Sequence, residues 1–342
     1  MLKKSLSRRR FSAGAAAAFA GIAVVKSRAF AQPAQFQYKY ASNISIDHPL
    51  NVRMTQLWNA VDKETKGRLK VQMFPNNQLG GDPAMLTQLR SGALQFFTLD
   101  GGILQSVVPV AAIQGVGFAF KNSAEAFATM DGPLGTYVRK EIESKSSLYA
   151  FEKMWENGMR QITSSTHPMK AADDLRSFKV RTPPGRLWID LFKSLGAAPT
   201  PIAFNEVYLA LQNHTVDGQE NPYAIIDTAR LYEVQKYLTV TNHMWSAFWF
   251  LANGDAWKAL PPDIQAIVER NAAKYAVMQR RDTALLNASL EDKLKRRGMN
   301  VVTADTGTFR AKLRDSKFYE RWKAEFGSAA WDLLEAKTGK LA

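Results

Sequence analysis

The stretch from Leu69 to Leu99, LKVQMFPNNQLGGDPAMLTQLRSGALQFFTL, contains the repeating unit of the predicted fold. Its apolar residues first alternate with polar ones, at Leu69, Val71 and Met73. After a turn at Pro75-Asn76-Asn77 they recur at helical spacing, at Met85, Leu86 and Leu89. Residues 94–99 then favour a second strand. A strand, a helix and a strand in this order predict a βαβ unit, in which a helix covers parallel strands.

The same order extends in both directions along the chain. Alternation over 36–40 predicts a strand, and apolar residues at helical spacing over 50–61 predict the helix that follows it. In the second half we predict strands and helices over 159–163, 178–181, 187–195, 206–212 and 215–219. The chain is therefore predicted to have an α/β fold with two similarly built domains, as its 342 residues suggest.

A long helical segment is predicted from about 263 to 297. Pro261-Pro262 precedes it and Gly298 follows it, which is typical of a helix start and end. If unbroken, it would span roughly 50 Å at 1.5 Å per residue, which exceeds one small domain. Its apolar residues hold no seven-residue repeat, which disfavours a coiled coil. We therefore expect a helix that crosses from one domain to the other.

The first 31 residues have the composition of an export signal. They hold seven basic residues and no acidic one, with an alanine-rich apolar run over 11–25. Ala29-Phe30-Ala31 predicts cleavage near Ala31, before Gln32. Ser7-Arg8-Arg9-Arg10-Phe11 also resembles the twin-arginine export motif, and an ordinary Sec signal is the alternative. The apolar run is too short for a spanning helix of about 20 residues, so we expect an exported, periplasmic protein.

Composition and motifs disfavour several classes of function. Without residues 1–31 the net charge of +14 falls to +7, so no nucleic-acid partner is expected. The chain has no cysteine, which excludes disulfides and thiolate chemistry. Its four histidines lack the i, i+4 spacing of a zinc site, and no phosphate-binding or dinucleotide-binding glycine motif occurs. We therefore expect no metal and no cofactor.

Three polar residues are candidates for recognising a ligand: Arg160, Arg181 and Asn221. Each falls at or near the end of a predicted strand, and ligands of open α/β sheets bind beyond the carboxyl ends of the strands. A guanidinium can hold a carboxylate by two parallel hydrogen bonds, and an amide can both donate and accept. The alternative is that either arginine is a surface residue paired with an acid such as Asp174.

Five pieces of the sequence together resemble the solute-binding proteins of tripartite ATP-independent periplasmic (TRAP) transporters. They are the export signal and the segments Lys70–Asp82, Asn157–Arg160, Lys179–Arg181 and Val216–Pro222. The similarity covers essentially the whole chain after the signal. It implies a two-lobed periplasmic binding protein fold of type II-like form. Each lobe would be a mixed, mostly parallel sheet flanked by helices, and hinge strands and the long helix would join the lobes.

The resemblance also implies domain bounds and a function. Lobe I would comprise 32–157 and about 247–285, and lobe II would comprise about 158–246 and 286–342. The protein would close over a small organic acid and deliver it to a membrane permease of two subunits. It would catalyse no reaction, and we expect a monomer.

By the same resemblance, Arg181 makes the principal salt bridge to the ligand carboxylate, Arg160 is a second cation and Asn221 is a polar contact. The other residues expected at the pocket are Asn43, Asp100, Phe204 and Trp245. For Trp245 core packing is the alternative, because the alternation of its apolar run sets it opposite Phe248 and Phe250.

Two other functions stay open on the sequence alone. A periplasmic enzyme acting on a carboxylate could share the scaffold, although no nucleophile and base pair is recognisable. A sensor partner that presents its ligand to a membrane receptor is the second alternative. Among possible acids, the aromatic residues near Trp245 favour a sugar acid or an aromatic acid over a small dicarboxylate.

Overall fold

The computed structural model describes residues 34–341, so the predicted export signal lies outside the described residues. Strands and helices alternate along most of this part of the chain. The strands are β1 (Phe36–Ala41), β2 (Leu69–Phe74), β3 (Phe96–Asp100), β4 (Leu148–Ala150), β5 (Trp155–Ser164), β6 (Lys179–Thr182), β7 (Ala198–Pro201), β8 (Gly218–Pro222), β9 (Tyr237–Val240), β10 (Trp245–Asn253) and β11 (Asn300–Thr303).

The helices lie between these strands and at the C-terminus. They are α1 (Pro49–Glu64), α2 (Asp82–Ser91), α3 (Gly101–Leu104), α4 (Ser123–Met130), α5 (Pro133–Ser146), α6 (Arg186–Ser194), α7 (Val207–Gln212), α8 (Tyr223–Thr228), α9 (Gly254–Ala259), α10 (Pro262–Arg296), α11 (Thr306–Asp315), α12 (Phe318–Phe326) and α13 (Ser328–Thr338).

The strands pair in the order β2-β1-β3-β10-β5-β8-β6-β7, with β4 beside β10 and the β9–β11 pair beside β5. The outer strands run parallel: β1 with β2 and β3, and β6 with β7 and β8. The central strands β10 and β5 pair antiparallel with their neighbours. The predicted α/β class, with sheets flanked by helices, is confirmed. We call the half built on β1–β3 lobe I and the half built on β6–β8 lobe II.

β5 and β10 join the two lobes, and their pairing is irregular at the junction. The register shifts between Ser246 and Ala247, so that Asn157 has no partner residue on β10. Next to it, Gly158 has a φ of 126°, a conformation that side-chain-bearing residues rarely adopt. The shift coincides with the predicted bounds at 157/158 and 246/247. The division into lobes stays a prediction, and this bulge is where we expect the hinge.

The long helix is present as α10, within one residue of the predicted 263–297. The Gln279 amide accepts from the backbone nitrogen of Glu156 and donates to its carbonyl, both at 2.8 Å, which fixes α10 to β5 beside the bulge. Further along, Lys293 pairs with Asp227 of α8 at 2.8 Å. α10 thus contacts elements on both sides of the junction. Despite its length, neither it nor any other helix within 34–341 is apolar enough over a sufficient span to cross a membrane.

The C-terminal segment 286–342, which is predicted to belong to lobe II, contacts both halves of the molecule. Tyr319 of α12 donates to the carbonyl oxygen of Gly117 at 3.1 Å. α13 packs against α4 and α5, and its Trp331 and Leu334 are buried in the core that these helices share. α13 therefore completes the core of lobe I, whereas α11 and α12 also pack against α6, which follows β6 in lobe II. Chain order alone does not indicate this return.

The strand predicted over 215–219 is also displaced. The structure has β8 at Gly218–Pro222, because the chain turns at His214, whose φ of 53° is left-handed. This shift sets Asn221 at the end of the strand, next to the junction with α8.

Candidate functional site

A pocket lies at the junction of the two lobes, where several strands end. Its enclosed volume is about 30 Å³, which is about the space that one water molecule occupies, so an organic ligand would need the lobes to move apart. Six of the seven predicted site residues line it: Asn43, Asp100, Arg160, Arg181, Phe204 and Asn221. The structure therefore brings together residues from widely separated parts of the chain.

Arg160 lines this pocket, but its position in the strand differs from the predicted one. It lies in the middle of β5 rather than near a strand end. Because β5 runs antiparallel to β8, Arg160 is set opposite Pro222, where β8 ends. Its guanidinium therefore lies beside Asn221, and the Nη2 group of Arg160 donates to the Asn221 Oδ1 atom at 3.2 Å.

Arg181 is a buried cation without a carboxylate partner within 34–341. Its side chain comes from β6 and the residue is 2% exposed. Its Nε and Nη2 groups donate to the Ile202 carbonyl oxygen at 2.9 and 2.7 Å, which uses one edge of the fork. The Nη1 group makes no hydrogen bond to the described residues. Burial lowers the pKa of Arg181 to about 9, so the guanidinium stays charged at neutral pH.

Arg160, by contrast, is neutralised by Glu220. Its Nε and Nη2 groups both bond the Glu220 carboxylate, the second at 2.7 Å, in a bidentate pair that is almost fully buried. His243 contacts the other side of that carboxylate at 3.1 Å. Burial alone would raise the pKa of Glu220, but Arg160 and His243 together lower it below its ordinary value. The predicted second cation therefore contributes little free charge to the pocket.

Two carboxyl groups of lobe I face these arginines. Asp82, at the start of α2, is 6% exposed and accepts at Oδ2 from the Asn43 amide at 2.8 Å. Burial raises the pKa of Asp82 to about 6, against the opposing effects of Asn43 and Arg181. Asp100 accepts from the Gly102 backbone nitrogen at 2.8 Å and from the Ser246 hydroxyl at 2.5 Å. Burial raises the pKa of Asp100 as well.

Several buried polar atoms of the pocket have no hydrogen-bond partner among the described residues. Three are acceptors: the Oδ1 atoms of Asn43, Asp82 and Asn157. One is a donor, the indole nitrogen of Trp188. Because buried polar groups in proteins are normally hydrogen-bonded, these atoms are the ones a polar ligand would satisfy. Three unpaired acceptors on residues that line one cavity favour a ligand that carries hydroxyl donors.

Aromatic side chains form two walls of the pocket. The guanidinium carbon of Arg181 lies 5.8 Å from the Phe204 ring centroid, and that of Arg160 lies 5.5 Å from the Trp188 ring. Trp188 packs directly on the backbone of lobe I at Gly102, where an added Cβ would come within 2.1 Å of the indole. A larger residue at 102 would therefore displace this wall.

Trp245, the seventh predicted residue, does not line the pocket. It is 1% exposed, and its ring contacts Phe120 and Phe127 edge-on at centroid distances of 5.8 and 5.0 Å. Its indole nitrogen donates to the Glu156 carboxylate at 3.0 Å. The alternative reading, core packing, therefore describes its position. β10 is a central strand buried on both faces, which explains why every residue of its apolar run is enclosed.

The sequence did not single out four other polar or aromatic residues at this pocket. These are Asp82, Asn157, Trp188 and the carboxylate partner Glu220. Asp82 and Asn157 belong to the segments Lys70–Asp82 and Asn157–Arg160, which carry the family resemblance. The resemblance of a whole segment did not indicate that these two residues line the pocket. Trp188 looked like one more apolar residue of an amphipathic helix, and only its packing distinguishes it.

The lobes also approach each other closely at Gly81 and Ala203, the chain neighbours of the lining residues Asp82 and Phe204. An added Cβ at Gly81 of lobe I would lie 3.3 Å from the Cβ atom of Ala203 in lobe II. The backbone of Gly81 has φ −66° and ψ 163°, which any residue can adopt. Contact with Ala203, rather than backbone strain, is therefore what limits the residue at position 81.

Comparison with known proteins identifies the family. Residues 40–321 match the family model described as bacterial extracellular solute-binding protein, family 7 (DctP). The chain is 36% identical over 281 residues, 80% of its length, to the uncharacterized protein y4mM of Sinorhizobium fredii, and it spans 50% of that protein's length.

Two solved structures share the fold at high coverage. The sugar acid binding protein DctPAm from Advenella mimigardefordensis, in complex with galactonate, gives a TM-score of 0.84 at 29% identity over 90% of this chain and 98% of that chain. A TRAP periplasmic solute binding protein from Polaromonas sp. JS666, bound to D-erythronate, gives 0.84 at 31% identity over 90% and 99%. The chain therefore belongs to the family 7 bacterial extracellular solute-binding proteins, the solute-binding proteins of TRAP transporters.

Proposed function

We propose that this chain is a periplasmic protein that captures a small organic acid by closing its lobes over Arg181 and delivers it to a TRAP permease in the membrane. The observation that carries the proposal is the buried Arg181 guanidinium, which has no carboxylate partner within 34–341 and faces a cavity. Burying an unpaired charge is costly, and a ligand carboxylate would compensate it. The family membership supports the transport role.

The free edge of Arg181 defines how the acid would bind. Ile202 occupies the edge formed by Nε and Nη2, whereas Nη1 and the second hydrogen of Nη2 form the end of the fork. Two parallel N–H groups at that end match the two oxygens of a carboxylate. We therefore expect an end-on bidentate contact, with the rest of the ligand extending towards Asn43, Asp82 and Asn157.

The chemistry of that opposite wall favours a polyhydroxylated acid with one carboxylate. The unpaired oxygens of Asn43 and Asn157 need donors, which hydroxyl groups supply. A second carboxylate would face Asp82 and Asp100, and like charges in a buried site repel strongly. The two solved relatives have galactonate and D-erythronate bound, and both are polyhydroxylated monocarboxylates. The earlier preference for an aromatic acid loses its basis, because Trp245 is outside the pocket.

A thermal-shift screen of the chain from residue 32 tests this function. A ligand at 100 times its dissociation constant stabilises the folded state by about 2.7 kcal/mol, which is a rise of a few degrees in Tm. We expect such a rise with sugar acids such as galactonate and erythronate, and a much smaller one with C4-dicarboxylates, keto acids and aromatic acids. The bound acid should be recovered unchanged after denaturation.

Two results would contradict the proposal. No shift with any carboxylate, for protein shown by analysis of the denatured extract to carry no ligand, would remove the acid-binding role. Conversion of the acid into a product would favour the enzyme that the sequence left open. A shift with dicarboxylates larger than with sugar acids would leave acid capture standing and contradict the substrate class.

Lobe closure makes a separate prediction at Gly81. In Gly81→Val the added side chain would meet Ala203 and hinder closure, while Arg181 itself is unchanged. Overpacking costs typically about 1–3 kcal/mol, so we expect the Kd for the acid to rise about tenfold to a hundredfold in isothermal titration.

The control is the double variant Gly81→Val with Ala203→Gly, which removes the Cβ atom that the new side chain meets. It should recover part of the lost affinity. Without a ligand the lobes are free to move apart and relieve the clash, so we expect the unliganded Gly81→Val protein to unfold at nearly the wild-type temperature. An unchanged Kd in Gly81→Val would show that tight closure at this point is not needed for binding.

A further inference from the structure

The pocket holds an excess of negative charge once a carboxylate enters it. Glu220 already neutralises Arg160 through two hydrogen bonds, one of them at 2.7 Å. Arg181 is then the only unneutralised cation among the described residues that line the pocket, and Asp82 and Asp100 face it across the cavity. A bound acid would be the third carboxylate opposite one guanidinium. This reasoning rests on the proposed function, since it requires an acid in this pocket.

The two aspartates differ in how well they are held as anions. Asp100 accepts from the Gly102 backbone nitrogen and from the Ser246 hydroxyl, at 2.8 and 2.5 Å, so that both of its oxygens have a donor. Asp82 has one donor, the Asn43 amide at 2.8 Å, and its buried Oδ1 atom has no partner among the described residues. Hydrogen bonds to the charged form stabilise an anion, so Asp82 is the less stable anion of the two.

The charged groups that face Asp82 have opposite effects on its pKa. Arg181 of β6 favours the ionised form, whereas Asp100 at the end of β3 and burial in the pocket disfavour it. The position of Asp82 in the first turn of α2 also favours the ionised form. Burial outweighs these effects and raises the pKa of Asp82 to about 6. Because this pKa lies below 7.5, Asp82 is mostly ionised at pH 7.5 in the unliganded protein.

We propose that this protein binds its acid together with a proton, and that the proton is taken up by the unpaired Oδ1 oxygen of Asp82. The incoming carboxylate pairs with Arg181 and adds one negative charge to the closed cavity. Protonation of Asp82 removes one negative charge and so restores the net charge of the pocket. The protonated Oδ1 becomes a donor and can bond an oxygen of the ligand. When the lobes reopen, acid and proton leave the pocket together.

The sign of the pH dependence follows from this linkage. Acid binding raises the pKa of Asp82 above its unliganded value, so affinity is highest at low pH and falls as pH rises above about 6. Between the unliganded and the liganded pKa of Asp82, uptake of one proton means that Kd rises about tenfold for each pH unit. Above the liganded pKa the dependence levels off, because Asp82 then stays ionised in both states.

Isothermal titration calorimetry measures this uptake directly. Galactonate is the probe, or erythronate where it gives the larger thermal shift, and titrations are run at pH 7.5 in phosphate and in Tris, whose ionisation enthalpies differ widely. We expect the observed enthalpy to differ between the buffers by an amount that corresponds to nearly one proton taken up per acid. In Asp82→Asn, which keeps the shape and a polar group, the difference should vanish while the acid still binds.

The matched control is Glu156→Gln. Glu156 is a buried carboxyl outside the pocket, and burial raises its pKa to about 7. It bonds Ser123 and Trp245 and does not line the pocket. We expect this variant to take up the proton as the wild type does. Retained uptake in Glu156→Gln excludes Glu156 as the site of the proton, whether or not Asp82→Asn binds the acid.

The outcomes separate this inference from the proposed function. Binding with the same enthalpy in both buffers, and a Kd that is constant from pH 6 to 8.5, would overturn the proton uptake and leave acid capture standing. Uptake that is lost in Glu156→Gln, or retained in Asp82→Asn, would overturn the assignment to Asp82. No binding of either acid would overturn the proposed substrate class and this inference with it.

Discussion

In the Arg181→Ala variant, the Kd for the bound acid is expected to rise about a hundredfold. The acid would lose two charge-assisted hydrogen bonds inside a closed pocket, and its carboxylate would be buried without a cation. A loss of about 3 kcal/mol corresponds to roughly two decades in Kd. Isothermal titration with the acid that gives the largest thermal shift measures this change.

The Arg181→Lys variant tests the geometry of the same contact. Lysine keeps the charge but replaces the planar fork with a point charge, so it should restore only part of the affinity. The reference variant is Arg186→Ala, which removes an exposed arginine paired with Glu325 and should leave Kd unchanged. Full affinity in either Arg181 variant would show that the carboxylate is held elsewhere.

Loss of Arg181 should affect binding far more than folding. Among the described residues the buried guanidinium bonds only the Ile202 carbonyl, so the unliganded protein bears a desolvation cost that the substitution removes along with those two hydrogen bonds. We therefore expect a similar unliganded Tm for Arg181→Ala and for the wild type. A contribution of Arg181 mainly to stability would appear instead as a large fall in unliganded Tm.

The Glu220→Ala variant is expected to have the opposite signature, with a fall of about 3–5 kcal/mol in the free energy of unfolding. It would leave the buried Arg160 guanidinium without its carboxylate, and breaking one side of a buried pair is strongly destabilising. Chemical denaturation of the unliganded protein measures this fall. Glu220→Gln should lose less, because the amide oxygen can still accept from Arg160.

An exposed pair in the same chain is the control for Glu220. Glu325 bonds Arg186 at 2.9 Å, but both side chains are partly exposed to water. Glu325→Ala should therefore cost at most about 1 kcal/mol. Equal losses in Glu220→Ala and Glu325→Ala would contradict the account of Arg160 as a buried cation neutralised by Glu220.

The Glu220 pair also sets a pH limit to stability. Arg160 and His243 lower the pKa of Glu220 below its ordinary value of 4.5, although burial acts in the other direction. A lowered folded-state pKa contributes stability that is fully present above the unfolded value and is lost as pH falls through the folded value. Acid denaturation of the wild type should therefore be steeper below about pH 4 than in Glu220→Gln.

Local pattern was sufficient to predict much of the fold. Alternation and helical spacing depend only on near neighbours, so the strand and helix around Leu69–Leu99 and the long helix α10 were predicted nearly at their bounds. The return of α13 onto α4 and α5 is a contact between distant segments, and the pattern of one helix does not specify which surface covers it.

The site was predictable in part for the same reason. Arg181 and Asn221 lie at strand ends of a parallel arrangement, which is a local feature with a known spatial consequence. The pairing of Arg160 with Glu220 depends on the register of β5 against β8, which residues 158–163 do not encode by themselves. Trp245 looked equally suited to a pocket wall and to the core, because a strand buried on both faces has no polar side to distinguish them.

The most direct test of acid capture by Arg181 is a crystal structure of the protein with the acid that gives the largest thermal shift. The account predicts a carboxylate whose two oxygens lie within hydrogen-bond distance of the Nη1 and Nη2 atoms of Arg181, with ligand hydroxyls towards Asn43, Asp82 and Asn157. A carboxylate bound away from Arg181, with that guanidinium still bonded to Ile202 alone, would contradict it.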